Sequence, residues 1–536
     1  MIYNPLEEFE KNFKNLHFEN TKKRFEEIVQ QSGINAEENR KTVAEYVKLK
    51  DNLSKLKKKL GWWKFLRVVA CITLILIPLV IWKITPIIKA LKEDIEQADQ
   101  KADELFQLAQ QQMQPLNALF ENTDALRIIE ATIPALQFAP SFSVAQEADM
   151  IINYDFGEIN SGEQSTIDVL AGSYNNNPFL FENKLIHRMG TETYHGYKTI
   201  TWTERYRDSN GRMQTRTRTQ TLHATVTKPK PFYHTQVSLH YGAQGAPQLS
   251  FSRDATHLHK KNEKQLKRYI KKGEKKLEKM NAKALKQNSN FVSMSNADFE
   301  VLFDALNRTN EVEFRTLFTP LAQTNIVDLI CSQTSYGDDF HFFKNKRTNT
   351  IVSDHSQGRS LNLPASQYVS YSFDEAKQNF LQKNADYFKA VYFDFAPIWA
   401  IPVYQDEPVQ SLQPIPALSQ NYSCKEYEVL SNRIGTEYVI HPQSKTNAIL
   451  KSTFVGSQNG VDEMQIAAFS YDTIGHVDYV PVFGGDGRMH NVAVAWDEYI
   501  PLQRTSRFFV APTKLAPSEG VIATRNDLCI FSNEII

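Results

Sequence analysis

The chain has 536 residues, of which 41% are hydrophobic and 11% aromatic, and its formal net charge at pH 7 is zero. This composition excludes a disordered chain, and the length exceeds one typical core, so two or three folded units are expected. The charge is unevenly spread: residues 1–290 contain 43 Lys and Arg against 33 Asp and Glu, whereas residues 291–536 contain 18 against 28. The first half is therefore basic and the second half mildly acidic.

The first 60 residues predict an N-terminal helical segment. They are rich in Glu, Lys, Asn and Leu and contain no proline after Pro5, a composition that favours helices. From Tyr46 to Trp63 the apolar residues recur every three or four positions. This spacing is typical of a helix that packs along one stripe.

The most apolar stretch, residues 62–82, predicts a transmembrane helix. From Val68 to Trp82 it carries no formal charge, and residues 62–82 as a helix would span about 30 Å, the thickness of a hydrocarbon core. Tryptophan at both ends is typical of residues at the two faces of a bilayer. A buried core helix and a re-entrant hairpin are the alternatives. The residues predicted to meet the bilayer are Trp62, Trp63, Lys64, Arg67, Pro78 and Trp82.

Beyond the predicted span, residues 84–120 predict a helical stalk. Ile88, Leu91, Ile95, Ala98, Ala102, Leu105, Ala109, Leu116 and Leu119 occupy heptad core positions. One interpretation is a coiled coil in which residues 88–119 of two copies associate. The alternative is an amphipathic helix that packs on the globular part. Pro115 predicts that the stalk ends nearby, because a proline interrupts a helix.

The rest of the chain predicts a mixed α/β domain over residues 148–410 and a β-rich region over residues 411–536. Alternation in 198–207 and 213–226, on either side of a Gly-containing turn, predicts a long hairpin. The predicted fold class is therefore α+β, with N-terminal helices, one transmembrane helix continuing into a coiled-coil stalk, and a mixed α/β soluble region rich in antiparallel strands.

A strongly basic helix is predicted over residues 260–286, with twelve Lys and Arg against three Glu. Such a helix can lie on an anionic membrane or on nucleic acid, or can be the solvated face of a packed helix. Tyr269 is the only aromatic residue among the lysines, which disfavours nucleic-acid binding by stacking. The candidate basic surface consists of Lys264, Lys267, Arg268, Lys271 and Lys275.

No standard catalytic signature occurs in the sequence, and the sequence predicts no cofactor and no metal. One acid–histidine group remains, because a hairpin between Phe340 and Ser353 would bring its members together. Such a group can bind a metal or perform acid–base chemistry, although surface loops often collect the same residues. The candidate catalytic residues are Asp339, His341, Asp354 and His355, with Asp338 beside them. Whether Cys331, Cys424 and Cys529 form a disulfide stays open.

Several short segments resemble those of a family of bacterial membrane-tethered proteins of unknown function. They are Asn153–Gly157 (NYDFG), Asn177–Phe179 (NPF), Leu249–Arg253 (LSFSR), Asn310–Arg315 (NEVEFR), Leu317–Ala322 (LFTPLA), Ala396–Pro397 and Ile401–Pro402. The resemblance covers about residues 150–410. It implies a bacterial source, single-span tethering and one continuous unit from residue 150 onward, and it implies no activity, cofactor or site residue.

These features predict a membrane-anchored bacterial protein that presents a large soluble domain for macromolecular binding or scaffolding. The alternatives are a membrane-tethered hydrolase that uses the acid–histidine group and a transmembrane sensor. Eight Lys and Arg precede the span within twenty residues and four follow it, which predicts a cytoplasmic N-terminus and an outer C-terminal domain in the cell membrane. The expected partners are the lipid bilayer, a protein bound by the stalk or the soluble domain, and a second copy of the chain.

Overall fold

The computed structural model describes residues 2–72, 80–157, 162–207, 209, 211–286, 292–406, 408, 413–414, 421–515, 521–525 and 528–531. The fold is α+β, with two antiparallel sheets. The chain forms two compact units. A helical unit contains Asn4–Leu136 and Asn362–Phe393, and a sheet unit contains Met1–Tyr3, Gln137–Leu361 and Asp394–Ile536. The units therefore do not follow the predicted segments 148–410 and 411–536.

The helical unit is built from segments that lie far apart in the sequence. Its helices are Pro5–Glu8, Lys14–Ser32, Ala36–Ile72, Thr85–Asn117, Asp124–Thr132 and the first part of Phe373–Trp399, with π-helical turns at Phe9–Phe13 and Val80–Ile84 and a 3₁₀ turn at Ala365–Gln367. Aromatic rings hold the two ends of this unit together. Phe9 packs on Phe393 with ring centroids 4.9 Å apart, and Phe25 packs on Phe380 at 5.5 Å.

Helices Ala36–Ile72 and Thr85–Asn117 pack against each other in antiparallel directions and form a helical hairpin. The rings of Tyr46 and Phe106 lie 5.6 Å apart, whereas Trp63, much later in the first helix, packs against Ile84 and Ile88 at the start of the second. Between these contacts Lys57 Nζ lies 3.1 Å from Asp99 Oδ1. The chain therefore reverses direction between the two helices.

The predicted transmembrane helix at residues 62–82 is wrong, and so is its single-pass topology. In the part of the chain that the structure describes, no helix is long and apolar enough to cross a membrane. Trp62–Ile72 is the end of one hairpin helix, and Val80 begins a separate π-helical turn. Residues 73–79, including Pro78, lie outside the described residues.

The predicted coiled-coil stalk at residues 84–120 is also wrong, for a physical reason. The apolar stripes before and after the predicted span face each other within one chain, as Leu53 packs in one cluster with Ile95 and Ala102. A three-four repeat has the same spacing whether its partner is another copy or another helix of the same chain. The amphipathic-helix alternative therefore describes residues 85–117 better than the stalk does.

The sheet unit contains two antiparallel sheets. The strands are β1 (Leu136–Phe138), β2 (Gln164–Tyr174), β3 (Asn177–Arg207), β4 (Met213–Gly242), β5 (Ser250–Arg253), β6 (Phe340–Asn345), β7 (Thr348–Ser353), β8 (Ile449–Gln458), β9 (Val461–Phe483), β10 (Met489–Pro512), β11 (Val521–Arg525) and β12 (Leu528–Phe531). The first sheet has the order β1-β2-β3-β4-β7-β6-β5, and the second has the order β11-β12-β10-β9-β8.

Helices and 3₁₀ turns of the sheet unit connect these strands. The helices are Val144–Tyr154, Glu263–Lys286, Ala297–Phe303, Glu311–Leu317, Pro320–Cys331, Cys424–Arg433 and Thr436–Val439, and the 3₁₀ turns are Leu258–Lys260, Asp354–Ser356, Pro402–Gln405 and Thr513–Leu515. Tyr427 and Leu430 of helix Cys424–Arg433 pack on the second sheet, whereas Val429 joins the core of the first. This helix therefore ties both sheets into one unit.

The ends of the two longest hairpins stack face to face and form a β arm, which comprises residues 191–207 and 213–229 of β3–β4 and residues 473–483 and 489–499 of β9–β10. The predicted hairpin is confirmed, since Lys198 pairs with Leu222 and Arg207 with Met213. Ile200, Leu222 and Ala224 of one ribbon pack on Val492 and Val494 of the other. Alternating residues thus bury one face of each ribbon and expose the other.

The two ribbons of the arm approach each other closely at Gly196. A Cβ atom built on Gly196 would lie 2.2 Å from the carbonyl oxygen of Ala493, so a glycine is required there. Polar contacts fix the layers as well. Lys198 Nζ donates to the carbonyl oxygen of Asn491 at 3.1 Å, and the amide of Gly485 donates to Gln220 Oε1 at 2.7 Å. The arm is therefore a two-layered element and not a pair of separate loops.

Candidate functional site

The β6–β7 hairpin, which the structure confirms, brings part of the predicted acid–histidine group together. Asp339 precedes β6 and His355 follows β7, and His355 Nδ1 lies 2.6 Å from Asp339 Oδ2. The other ring nitrogen, Nε2, lies 3.4 Å from Oδ1 of Asp394. The ring of Tyr336 stacks on the imidazole with centroids 3.8 Å apart. His355 is therefore held between two carboxylates and one aromatic ring.

Two further side chains bind the second carboxylate, that of Asp394. Ser356 Oγ donates to both of its oxygens at 2.7 and 2.8 Å, and Arg359 Nη2 donates to Oδ2 at 2.7 Å. Each ring nitrogen of His355 thus faces a carboxylate oxygen. The geometry is that of a buried ion network.

The other candidate residues bind elsewhere. Asp338 forms a fully buried ion pair with Arg253 and accepts hydrogen bonds from Thr256 and from the amide of Leu258 at 3.0 Å. His341 Nδ1 lies 3.0 Å from Asp254 Oδ1. Asp354 lies 3.5 Å from His257 Nε2. The five predicted residues are thus divided among separate pairs, and their catalytic role stays a prediction.

The structure does not place these residues as a metal centre. Among the described side chains, no group of three or more His, Cys, Asp or Glu is placed to hold a metal ion. No disulfide joins Cys331, Cys424 and Cys529, the three cysteines of the sheet unit.

Sequence reasoning missed Asp394, the residue that completes the ion network. It lies on helix Phe373–Trp399, far from the β6–β7 hairpin in sequence, so no local pattern connects the two. A signal was nevertheless present. Asp394 is the one charged residue between Ala390 and Ile401 in an otherwise apolar run. A single carboxylate in such a run must find a buried partner when the helix packs.

The β arm exposes an apolar surface on the outside of β9–β10. Val477, Tyr479, Phe483 and Met489 are 51%, 68%, 66% and 59% exposed. The strand register pairs Phe483 with Met489. It also places Val477 and Tyr479 on the same side of the ribbon. We call this surface the outer apolar face; it consists of Val477, Tyr479, Pro481, Phe483, Met489, Ala493 and Ala495.

The outside of the β3–β4 ribbon carries hydroxyl groups instead. The threonine pairs Thr193–Thr227, Thr199–Thr221 and Thr201–Thr219 face each other across the strands with oxygens 3.1 to 3.3 Å apart. These polar pairs are common on solvated sheets. The two outer surfaces of the arm therefore differ in chemistry, and only the β9–β10 side is apolar.

The candidate basic residues lie on helix Glu263–Lys286, which we call the basic helix. Lys264, Lys267, Arg268 and Lys271 line one shallow depression together with Glu263. Lys267 Nζ lies 2.6 Å from Glu263 Oε1. Lys275 lines a different and larger groove. The residues of the predicted basic surface thus line two different depressions along one helix.

The described residues among those predicted to meet a bilayer, Trp62, Trp63, Lys64, Arg67 and Trp82, lie where the two helices of the hairpin meet their connection. Trp62 and Trp82 are exposed, whereas Trp63 packs on Ile84 and Ile88. Lys64 and Arg67 are exposed to solvent. This geometry does not test the bilayer contact or the outward orientation, and both stay predictions.

No family model, curated protein or solved structure matches this chain. The resemblance to bacterial tethered proteins therefore stays a prediction.

Proposed function

We propose that this chain is a non-enzymatic binding protein that holds another protein on the outer apolar face of its β arm. The observation that carries the proposal is the exposure of Val477, Tyr479, Phe483 and Met489 side by side on one ribbon. Single exposed apolar residues are ordinary, but a contiguous group is typical of a binding surface. Full burial of a Val, Phe or Met side chain stabilises a complex by about 1.5–3 kcal/mol.

The chemistry of the face favours a protein partner. Of the eight outward positions 477, 479, 481, 483, 489, 491, 493 and 495, seven are apolar and Asn491 is the only polar one. A nucleic acid requires Lys and Arg to neutralise its phosphates. Interfaces between proteins have cores that are depleted in charge and enriched in aromatic residues and Met. The outer apolar face has these properties.

The arm also presents this face in a fixed conformation. Behind it, Val480 and Val482 pack with Val492 and Val494 against the β3–β4 ribbon, and Lys228 Nζ lies 2.8 Å from Asp478 Oδ2. A surface that is already ordered loses little conformational entropy on binding. The buried layer therefore supports the exposed one as a binding platform.

Site-specific photo-crosslinking in cells tests the proposal. A crosslinking amino acid is placed at Tyr479 in the full chain and, as a control, at Thr201 on the opposite surface of the arm. We expect a protein adduct from position 479 that is absent at position 201. Binding of the purified adduct partner is then measured for the wild type, for Phe483→Ser and for Thr201→Ser. Phe483→Ser should weaken binding about 10- to 100-fold because it removes most of one buried side chain.

Three results would contradict the proposal. Equal adducts from positions 479 and 201 would indicate chance collisions. An affinity unchanged by Phe483→Ser would place the partner elsewhere. If position 479 crosslinked only to a second copy of this chain, and sedimentation showed concentration-dependent association, the face would be a self-association surface and not a site for another protein.

A further inference from the structure

A groove of about 670 Å³ runs along the basic helix beside helix Ala297–Phe303. Its floor is mainly apolar and its rim is basic, so one ligand could contact both kinds of surface. It is lined by Tyr269, Lys272, Gly273, Lys275, Lys276, Leu277, Lys279, Met280, Lys283, Glu300, Val301, Asp304 and Leu306.

The floor is fixed by close packing of the two helices. A Cβ atom built on Gly273 would lie 2.3 Å from Val301 Cγ1, so the glycine lets the helices approach. Leu277 is buried at this contact. The negative charge of Glu300 in the floor is compensated, because Glu300 forms a buried ion pair with Arg308 at 2.6 Å. The floor is therefore both ordered and close to neutral.

The rim is a row of lysines with the spacing of a helix face. Lys272, Lys276, Lys279 and Lys283 recur every three or four residues, with Lys275 beside Lys276, and the row extends over about 16 Å. Among the described carboxylates, Asp304 forms an ion pair with this row, with Oδ1 3.9 Å from Lys276 Nζ. Burial raises the pKa of Asp304. Within the described residues, Lys272, Lys275, Lys279 and Lys283 have no carboxylate within 4 Å.

We propose that this groove binds an acidic amphipathic segment of a protein, with its carboxylates on the lysine row and its apolar side chains on the floor. A row of about 16 Å is longer than one anionic headgroup, which favours a ligand with several charges in line. The apolar floor, which includes Leu277, Met280, Val301 and Leu306, favours a segment with apolar side chains over polyphosphate or nucleic acid. The site is separate from the β arm, so the inference goes beyond the proposed function.

Synthetic peptides serve as probes of this site. The first is a fluorescent 14-residue helix with Glu on one face and Leu on the neighbouring face. The second replaces every Glu by Gln, and the third replaces every Leu by Ser. We expect the full-length protein to bind the first peptide and to bind each of the others at least about tenfold more weakly. Fluorescence anisotropy at 150 mM salt gives the dissociation constants, because surface charge interactions are partly screened there.

Two matched variants separate this groove from general basicity. Lys272→Gln/Lys279→Gln removes two charges from the lysine row. Lys264→Gln/Lys271→Gln removes two charges from the other depression on the same helix. The first variant should weaken binding of the Glu/Leu peptide about fivefold, as expected for two exposed ion pairs. The second should change it less than twofold. All four lysines are exposed, so folding is not expected to differ.

Several outcomes would overturn the inference. Equal binding of the Gln peptide would mean that the lysine row does not contribute. Equal binding of the Ser peptide, or equal competition by polyphosphate, would mean that the floor does not contribute. An equal loss in both lysine variants would assign binding to total charge. Binding that survives in both variants would place the peptide on another surface, including the outer apolar face, which Phe483→Ser then tests.

Discussion

The imidazole of His17 lies parallel to the ring of Phe388, with the two centroids 4.1 Å apart and an angle of 1° between the planes. Both residues belong to the helical unit. Burial lowers the pKa of His17 from about 6.5 to about 3. The folded helical unit therefore keeps this ring neutral.

This burial predicts that acid destabilises the helical unit. Between pH 6.5 and pH 3 the unfolded chain binds a proton at His17 and the folded chain does not, so stability falls as the pH is lowered. At pH 5 the loss from His17 should be about 2 kcal/mol. Urea unfolding at pH 7.5 and pH 5, followed by far-UV circular dichroism, measures it. His17→Leu should remove this part of the pH dependence, and His234→Leu, at an exposed position on β4, should leave it intact. Identical pH slopes for wild type and His17→Leu would contradict the assignment.

The reversal of the helical hairpin can be tested by cysteine crosslinking. In a background with all four cysteines replaced by serine, Tyr46→Cys/Phe106→Cys should be joined within one molecule by a short bifunctional maleimide, because the native rings lie 5.6 Å apart. In a continuous helical rod these positions would be about 90 Å apart. Tyr46→Cys/Leu66→Cys, with both positions on one helix, is the control that should not crosslink. Mass spectrometry of the crosslinked monomer distinguishes the results, and a crosslink found only between molecules would favour a continuous helix over the hairpin.

Gly196 should be intolerant of a side chain. Gly196→Ala places a methyl group 2.2 Å from the carbonyl oxygen of Ala493, and overpacking of this kind costs about 1–3 kcal/mol. Gly475→Ala, in the same arm, would find only Asp497 Oδ1 at 3.9 Å and should be tolerated. Hydrogen exchange at Ile200 and Val494 reports opening of the arm. Faster exchange in both variants, or in neither, would contradict the close approach at Gly196.

The network around His355 should respond as a structural element. Asp394→Asn leaves His355 and Arg359 without their shared carboxylate in a buried site, and breaking a buried ion pair costs about 3–5 kcal/mol. Asp254→Asn, which removes the exposed partner of His341, should cost less than about 1 kcal/mol. Chemical denaturation of the two variants gives both values. A folded, fully stable Asp394→Asn protein would argue against a structural role and revive an acid–base role.

Local patterns in the sequence predicted local structure well. The hairpin from Lys198 to Val226 was predictable because alternating side chains and a Gly-containing turn determine a ribbon without distant partners. The basic helix was predictable for the same reason, since its apolar stripe has helical spacing. The stacking of the two ribbons was not predictable, because it depends on contacts between Ile200 and Val494, which lie on different hairpins.

The helical hairpin shows why the same approach failed at residues 62–82. Hydropathy and a three-four repeat each describe a single helix. Neither predicts whether the next helix continues in the same direction or turns back. The contact of Trp63 with Ile84 and Ile88 decides that direction. The candidate site shows the same limit. The sequence placed Asp339 near His355 correctly, and the lone carboxylate of Asp394 indicated a buried partner, but nothing in the sequence indicated that this partner would be His355.

The composition of the helical unit has a consequence for biosynthesis. Phe9 and Phe25 are buried against rings from residues 373–393, which a ribosome adds on the order of tens of seconds after residue 136. Until then the earlier helices expose an incomplete aromatic core to solvent and to other nascent chains. The sheet-forming residues 137–361 are synthesised during this interval. Synthesis of the last part of this core, rather than of the first helices, therefore sets the earliest time at which the helical unit can be complete.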